Sequence, residues 1–167
     1  MTTPRPQRKP ARRLLPACFC LVFAVLAPPP DGVRAGTTER VVADWRTGLA
    51  IGGFDPVAYF TDAAPVEGRP EYEASFAGVT WRFRNEGNRA AFLDHPEIYA
   101  PQFGGHDPVG VARGIARPGH PELWLVEGRR LYLFFGAEAR AAFAADPAGL
   151  SARAQAQWPR VLQTLSP

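Results

Sequence analysis

The sequence predicts an α+β domain made of two similar units, each a β-hairpin followed by a helix, with one more helix at the C-terminus. Two stretches that occur twice carry this prediction. Residues 52–57 (GGFDPV) return as residues 104–109 (GGHDPV), and residues 89–92 (RAAF) return as residues 140–143 (RAAF). Both recurrences are about fifty residues apart and in the same order, which is the pattern of an internal repeat.

The first 35 residues are expected to be a signal peptide and not part of the fold. Residues 5–13 are strongly basic, and residues 14–27 form an apolar stretch too short to span a bilayer comfortably. The following Val33-Arg34-Ala35 resembles a cleavage site. An uncleaved membrane anchor is the alternative. We therefore expect a periplasmic or secreted bacterial protein that touches a membrane only through its leader.

Removal of that leader changes the charge of the protein. The full chain has 19 Lys and Arg residues against 16 Asp and Glu residues. From residue 36 onward there are 13 arginines, no lysine and 15 acidic residues, which gives a net charge of −2. A basic surface for nucleic acid is therefore not indicated. Both cysteines and the only methionine also lie in the leader, so the remainder has no thiol, disulfide or thioether.

We divide the chain after the leader into a linker, a domain and a tail. The linker and the approach to the domain cover residues 36–50, the domain covers residues 51–160, and the tail covers residues 161–167. Within the domain, the two repeat units run from about 52 to 103 and from about 104 to 157. The chain beyond the leader has about 130 residues, which is the size of one ordinary domain.

Each unit is predicted to open with a short helical turn and to continue into a hairpin. Asp55-Pro56 and Asp107-Pro108 predict the turns, because aspartate is a good N-cap and proline suits the first helical turn. Apolar and polar residues alternate on both sides of Ala77-Gly78, which is typical of a half-buried hairpin. The second hairpin is expected to turn at Glu127-Gly128. Its second strand, at 131–135, is continuously apolar, which predicts a central strand covered on both faces.

A helix is predicted after each hairpin. The two stretches, Glu86 to Leu93 and Ala137 to Ala145, suit helices, and each is followed by proline within a few residues. Phe92 and Phe143 occupy the same place in the two helices. We expect both rings to be buried against the hairpin of their own unit.

The last helix is predicted from about Pro147 to Gln157. Pro159 is expected to end it, because proline lacks the N–H that continues a helix. Trp158, beside that end, is expected to anchor the helix in the core.

Histidine and aspartate supply the candidates for a metal site. His106 stands where the first unit has Phe54, and Asp107 follows it directly. The Tyr99-Ala100-Pro101 segment allows His95 to fold back toward them. Nitrogen and oxygen ligands of this kind suit a divalent metal, although the spacing is not a recognised ligand pattern. Packing of His106 in the core is the alternative.

The repeated aspartates are the candidates for catalysis. A duplicated fold can bring Asp55 and Asp107 together as acid and base, whereas capping of the two helical turns explains each of them singly. No cysteine after the leader and no G-x-S-x-G motif offers a nucleophile. We expect a protein that is not an enzyme and keep the acid–base pair as an alternative.

Several motifs occur together in a characteristic order: G-G-F-D-P-V-A-Y-F at 52–60, W-R-F at 81–83, N-R-A-A-F and Y-A-P-Q-F-G-G within 88–105, R-L-Y-L-F at 130–134, and a terminal helix with W-P. This set resembles the YHS domain family in its exported bacterial branch. The resemblance implies a small α+β domain and, through the cysteines of many members, metal binding. Here Ala58 and Gly110 stand after the two D-P-V elements, so a thiolate site is excluded.

The sequence thus favours an exported, non-enzymatic domain that binds a small ligand or a protein partner in the cell envelope. The candidate surface combines repeated residues with their neighbours: Phe54, Asp55, Tyr59, His106, Asp107 and Arg113. His106 is expected to be partly accessible and to line a concavity with Tyr59 or Tyr99. The alternatives are a divalent-metal protein using His106, Asp107 and His95, and a small enzyme using Asp55 and Asp107.

Overall fold

The computed structural model describes residues 1–2 and 39–165 of the chain. The expected signal peptide therefore lies outside the described residues, apart from its first two. Residues 39–165 contain helices and two hairpins, which confirms the α+β prediction. In chain order the elements are α1 (Ala58–Thr61), β1 (Arg69–Phe76), β2 (Val79–Phe83), α2 (Glu86–Asp94), α3 (Pro96–Tyr99), α4 (Pro108–Val111), β3 (His120–Glu127), β4 (Arg130–Phe134), α5 (Ala137–Ala145) and α6 (Pro147–Leu162). None of these helices is long and apolar enough to cross a membrane.

The two hairpins are antiparallel and form separate two-stranded sheets, β1 with β2 and β3 with β4. Each is closed by a two-residue turn in which both residues have positive φ. The φ angles are 53° and 82° at Ala77 and Gly78, and 58° and 61° at Gly128 and Arg129. Turns of this kind match the right-handed twist of the strands. The second turn lies one residue later than predicted, because Glu127 pairs with Arg130 as the last residues of the ladder.

The backbone frame of the two units is the same. The N–H of Gly68 donates to the carbonyl of Gly53 at 2.9 Å, and the N–H of Gly119 donates to the carbonyl of Gly105 at 2.9 Å. Both bonds join the start of a hairpin to the glycine pair that opens its unit. The internal repeat seen in the sequence is therefore a repeat of structure.

Strand β4 is covered on both faces, as predicted, although its sheet has only two strands and β4 is therefore not a central strand of a sheet. Leu131 and Leu133 are buried in the apolar cluster of the first unit, whereas Tyr132 and Phe134 are buried in the cluster of the second unit. Successive residues of a strand point to opposite faces, so one strand serves both clusters. The other buried members include Trp81, Phe83 and Phe92 in the first cluster and Phe103, Phe143 and Val161 in the second.

The two repeated phenylalanines are fully buried, which confirms the prediction made for helices α2 and α5. The ring of Phe92 packs against Trp81 with centroids 5.0 Å apart, and the ring of Phe143 packs against Tyr132 at 4.6 Å. Trp81 and Tyr132 are equivalent residues of β2 and β4. Each helix is thus fixed to its own hairpin by the same aromatic contact.

Helix α6 continues to Leu162, so the prediction that Pro159 ends the helix is wrong. Ala154 and Val161, on either side of the proline, are both buried, and this packing holds the helix together across the missing N–H. Trp158 is half-buried, and its ring lies 5.6 Å from that of Phe103 between centroids. Trp158 therefore anchors the helix as expected.

The segment expected to be the approach to the domain packs into the fold. Leu49 and Ala50 are buried, and the N–H of Val42 donates to the carbonyl of Gly104 at 2.8 Å. The approach is so close that a Cβ on Gly104, which has a φ of 62°, would clash with the carbonyl oxygen of Arg40. This position therefore requires glycine.

Candidate functional site

Asp55 is a fully buried carboxylate with both oxygens hydrogen-bonded. Oδ1 accepts from the N–H of Val57 at 2.8 Å, and Oδ2 accepts from the N–H of Arg84 at 2.9 Å and from Nδ2 of Asn88 at 2.7 Å. These bonds join the turn before α1 to the end of β2 and to helix α2. Asp55 therefore has a structural role, and neither oxygen is free to act as an acid or base.

Asp107 occupies the equivalent position in the second unit but keeps one oxygen free. It is 4% exposed, and its Oδ1 accepts from the N–H of Val109 at 3.0 Å. Oδ2 makes no hydrogen bond with any residue in 39–165 and is open to the solvent of the cavity beside it. Ala139 stands where the first unit has Asn88, and the N–H of Phe135, at the position of Arg84, does not bond to the carboxylate. The second unit therefore has the buried carboxylate without the donors that satisfy it in the first.

A cavity of about 580 Å³ lies at Asp107. Its apolar lining includes Val109, Ile115 and Phe135, and the first residues of α5, including Ala139, close one side. Arg113, Arg117 and Glu138 supply the other charges of the lining. The cavity thus lies where the two units differ in sequence.

The charges of the cavity are balanced, with two arginines against two carboxylates. Burial raises the pKa of Asp107 above its usual range. The N–H groups of Val109 and Gly110 and the charges of Arg117 and Arg113 act in the opposite direction. The guanidinium of Arg117 lies over the ring of Phe135, 5.3 Å from its centroid.

His106 is closed to solvent, so the prediction of partial accessibility is wrong. Its Nε2 lies 2.9 Å from the carbonyl oxygen of Glu39, and its ring centroid lies 5.9 Å from that of Trp158. Nδ1 makes no hydrogen bond of normal geometry within the described part of the chain. Burial lowers the pKa of His106, opposed by the carbonyls of Glu39 and Arg117. The segment beginning at Glu39 covers the imidazole, so the alternative that His106 packs in the core is the one that the structure supports.

Tyr59 and Phe54, also expected at the site, belong to the packing of the first unit. Tyr59 is buried, and its hydroxyl donates to the carbonyl of Pro121 at 3.0 Å. Burial raises the pKa of Tyr59, and the charge of Asp55 adds to the effect. Phe54 is half-buried against the first cluster. Of the six residues predicted for the candidate surface, only Asp107 and Arg113 line the cavity.

The residues predicted for a metal site are not brought together. His95 is exposed at the end of α2, with Nδ1 3.3 Å from Oε1 of Glu97. The Nε2 atom of His106 is occupied by a backbone carbonyl. Among residues 39–165 no group of three or more His, Cys, Asp or Glu side chains is placed to hold a metal ion. The acid–base alternative also lacks its geometry, because Asp55 does not line the cavity of Asp107.

Sequence reasoning missed Arg117, Phe135 and Ala139. The signal that identifies Phe135 and Ala139 is the difference between the repeats when these are compared position by position: Asn88 becomes Ala139, and Arg84 becomes Phe135. The candidate residues were instead chosen in and beside the repeated segments, which contain what the two units share. The site lies where they diverge.

The cavity combines a buried acceptor, two guanidinium donors and an apolar wall, which is the composition of a site for a small polar molecule. It contains no hydroxyl or thiol nucleophile in its lining as the structure describes it. The chain matches no protein-family model, no curated protein and no solved structure.

Proposed function

We propose that this chain is an exported, non-enzymatic domain that binds a small polar ligand in the cavity at Asp107. The observation that carries the proposal is the free Oδ2 of Asp107, a carboxylate that is 4% exposed and lines a cavity of about 580 Å³. Oδ2 opens on the cavity and has no protein donor among residues 39–165, so a ligand bound there can supply the N–H donor that Asn88 supplies to Asp55 in the first unit.

The first unit supports this proposal as an internal reference. There the equivalent carboxylate of Asp55 accepts from Asn88 and from the backbone of Arg84. The backbone that the two units share is therefore compatible with an aspartate whose bonding is completed by protein groups, and the cavity is a feature of the second unit. The basic, apolar leader supports placing the ligand in the cell envelope, and the resemblance to the YHS domain family supports a small binding module over an enzyme.

The test is a thermal-shift screen of small polar metabolites. The protein is expressed from the full sequence and purified after whatever processing the cell carries out, with no engineered truncation. We expect at least one class of compound to raise the melting temperature. The matched variant is Ala139→Asn, which gives the second unit the amide that Asn88 supplies in the first. The same compounds should lose their effect on this variant, because the new amide occupies the cavity and bonds to Asp107.

Ala144→Asn is the control, since Ala144 is exposed on the same helix and does not line the cavity. It carries the same loss of helix propensity and should respond to ligands like the parent. If no compound stabilises the parent, or if Ala139→Asn responds as strongly as the parent, the proposed function is wrong.

A further inference from the structure

We propose, resting on the function above, that the ligand is a small zwitterion of the amino-acid class. Its ammonium group would donate to Oδ2 of Asp107, and its carboxylate would face Arg113 and Arg117. Three features of the cavity lead to this class: the donors that are missing, the cations that are unpaired, and the balance of charge.

The missing donors define one end of the ligand. In the first unit both groups that satisfy Oδ2 of the aspartate are N–H donors, from Asn88 at 2.7 Å and from Arg84 at 2.9 Å. The second unit offers the same carboxylate oxygen without them. A ligand that takes the place of these donors presents N–H groups at this point. A charged ammonium is the strongest such donor for a carboxylate.

The unpaired cations define the other end. Neither Arg113 nor Arg117 forms an ion pair with any carboxylate in residues 39–165. Helix α5 begins in the same cavity with Gly136 as its N-cap, so no side chain caps its first turn, whereas Asn85 caps helix α2. The first N–H groups of a helix have no partner within the helix and favour an anion. An anionic group is best placed on this side.

The balance of charge in the cavity argues against a ligand that carries only an ammonium group or only a carboxylate. A simple amine would meet the two arginines, and a simple carboxylate would meet Asp107 and Glu138 without compensation. A molecule that carries both charges satisfies both ends. The apolar wall of Ile115 and Phe135 then offers a surface for an apolar side chain.

The experiment uses a panel of the common amino acids and a matched probe set built on leucine. The set consists of L-leucine, 4-methylpentanoate, which lacks the amino group, and 3-methylbutylamine, which lacks the carboxylate. Binding to the full chain is measured by calorimetry. We expect an amino acid with an apolar side chain to bind, and each truncated probe to bind about tenfold more weakly or less, since each loses a charge-assisted bond.

Two variants test where the ligand binds and which of its charged groups contacts Asp107. Asp107→Asn keeps an oxygen that can cap Val109, and it should remove the preference for leucine over 4-methylpentanoate. Ala139→Asn should abolish binding of all three probes. Circular dichroism and melting temperature establish that both variants are folded.

The outcomes separate this inference from the proposed function. If no amino acid binds, or if a truncated probe binds as tightly as leucine, the zwitterion class is wrong. The proposed function still stands in that case if another compound binds the parent and fails to bind Ala139→Asn. If no compound at all distinguishes the parent from Ala139→Asn, both are wrong.

Discussion

Asp55 and Asp107 show how one residue type at equivalent positions takes two roles. The backbone around them is the same, and the difference comes from the side chains that approach from the hairpin and the following helix. Asn88 completes the bonding of Asp55, whereas Ala139 leaves Asp107 beside open space. At this position a small residue creates the candidate site by removing a donor.

The two aspartates are expected to differ in their contribution to stability. Asp55→Ala removes a carboxylate that bonds to three backbone N–H groups and one amide, and it should lower the free energy of unfolding by on the order of 3 kcal/mol. Asp107→Ala removes one capping bond and should lower it by about 1 kcal/mol. Urea unfolding at neutral pH measures both, and equal losses would contradict the assignment of roles.

His106 is expected to make the protein less stable below neutral pH. Its pKa is lowered in the folded state, so the unfolded chain, with a histidine pKa of about 6.5, takes up the proton first. The contribution of His106 is therefore fully present above that pKa and is lost as pH falls through it. Urea unfolding at pH 7.5 and pH 5.5 measures the effect.

In His106→Phe, which copies the Phe54 of the first unit, this part of the pH dependence should vanish. His95→Gln is the control, because His95 is exposed, and it should retain the dependence of the parent. A parent whose stability does not fall over this range would show that the folded protein takes up the proton as readily as the unfolded chain, which would contradict the lowered pKa of His106.

Of the six residues predicted for the candidate surface, two line the cavity and four lie elsewhere, and the reason is physical. Asp107 and Arg113 were found because the repeat pointed to the turn that contains them. His106 was misjudged because its cover comes from Glu39, far away in the chain, and burial by a distant segment leaves no local pattern. Arg117 and Phe135 belong to the cavity only through tertiary packing.

The hairpins and helices were largely predictable because their signals are local. The alternation of apolar residues around Ala77-Gly78 predicted the first hairpin, and the alanine-rich stretches predicted helices α2 and α5. Helix α6 was predicted too short, since the sequence shows the proline at 159 and not the burial of Val161 beyond it. Local rules therefore fail where packing overrides them.

Helices α2 and α5 should contribute equally through their repeated phenylalanines. Phe92→Ala and Phe143→Ala each remove a fully buried ring and should each lower the free energy of unfolding by about 3 to 5 kcal/mol. Leu93→Ala is the control, because Leu93 is 46% exposed and its loss should have little effect. The comparison is made by chemical denaturation. A small loss at either phenylalanine would mean that the core relaxes around the missing ring.

At the scale of the whole molecule, the mature protein is expected to begin near Gly36. The basic and apolar pattern of the first 35 residues favours cleavage during export. N-terminal sequencing of the protein recovered from the envelope fraction or the medium measures the start. Recovery of the full-length chain in the inner membrane would contradict the proposed export and favour an anchor.

Strand β4 makes the two units inseparable. It belongs to the second unit in sequence, yet Leu131 and Leu133 fill the core of the first, so a first unit cut off before residue 104 would expose the apolar surface that they cover. We therefore expect that neither copy folds as an independent module and that the chain unfolds as one cooperative body. The two units are therefore not interchangeable: the side chains around Asp107 differ from those around Asp55, yet strand β4 of the second unit completes the core of the first.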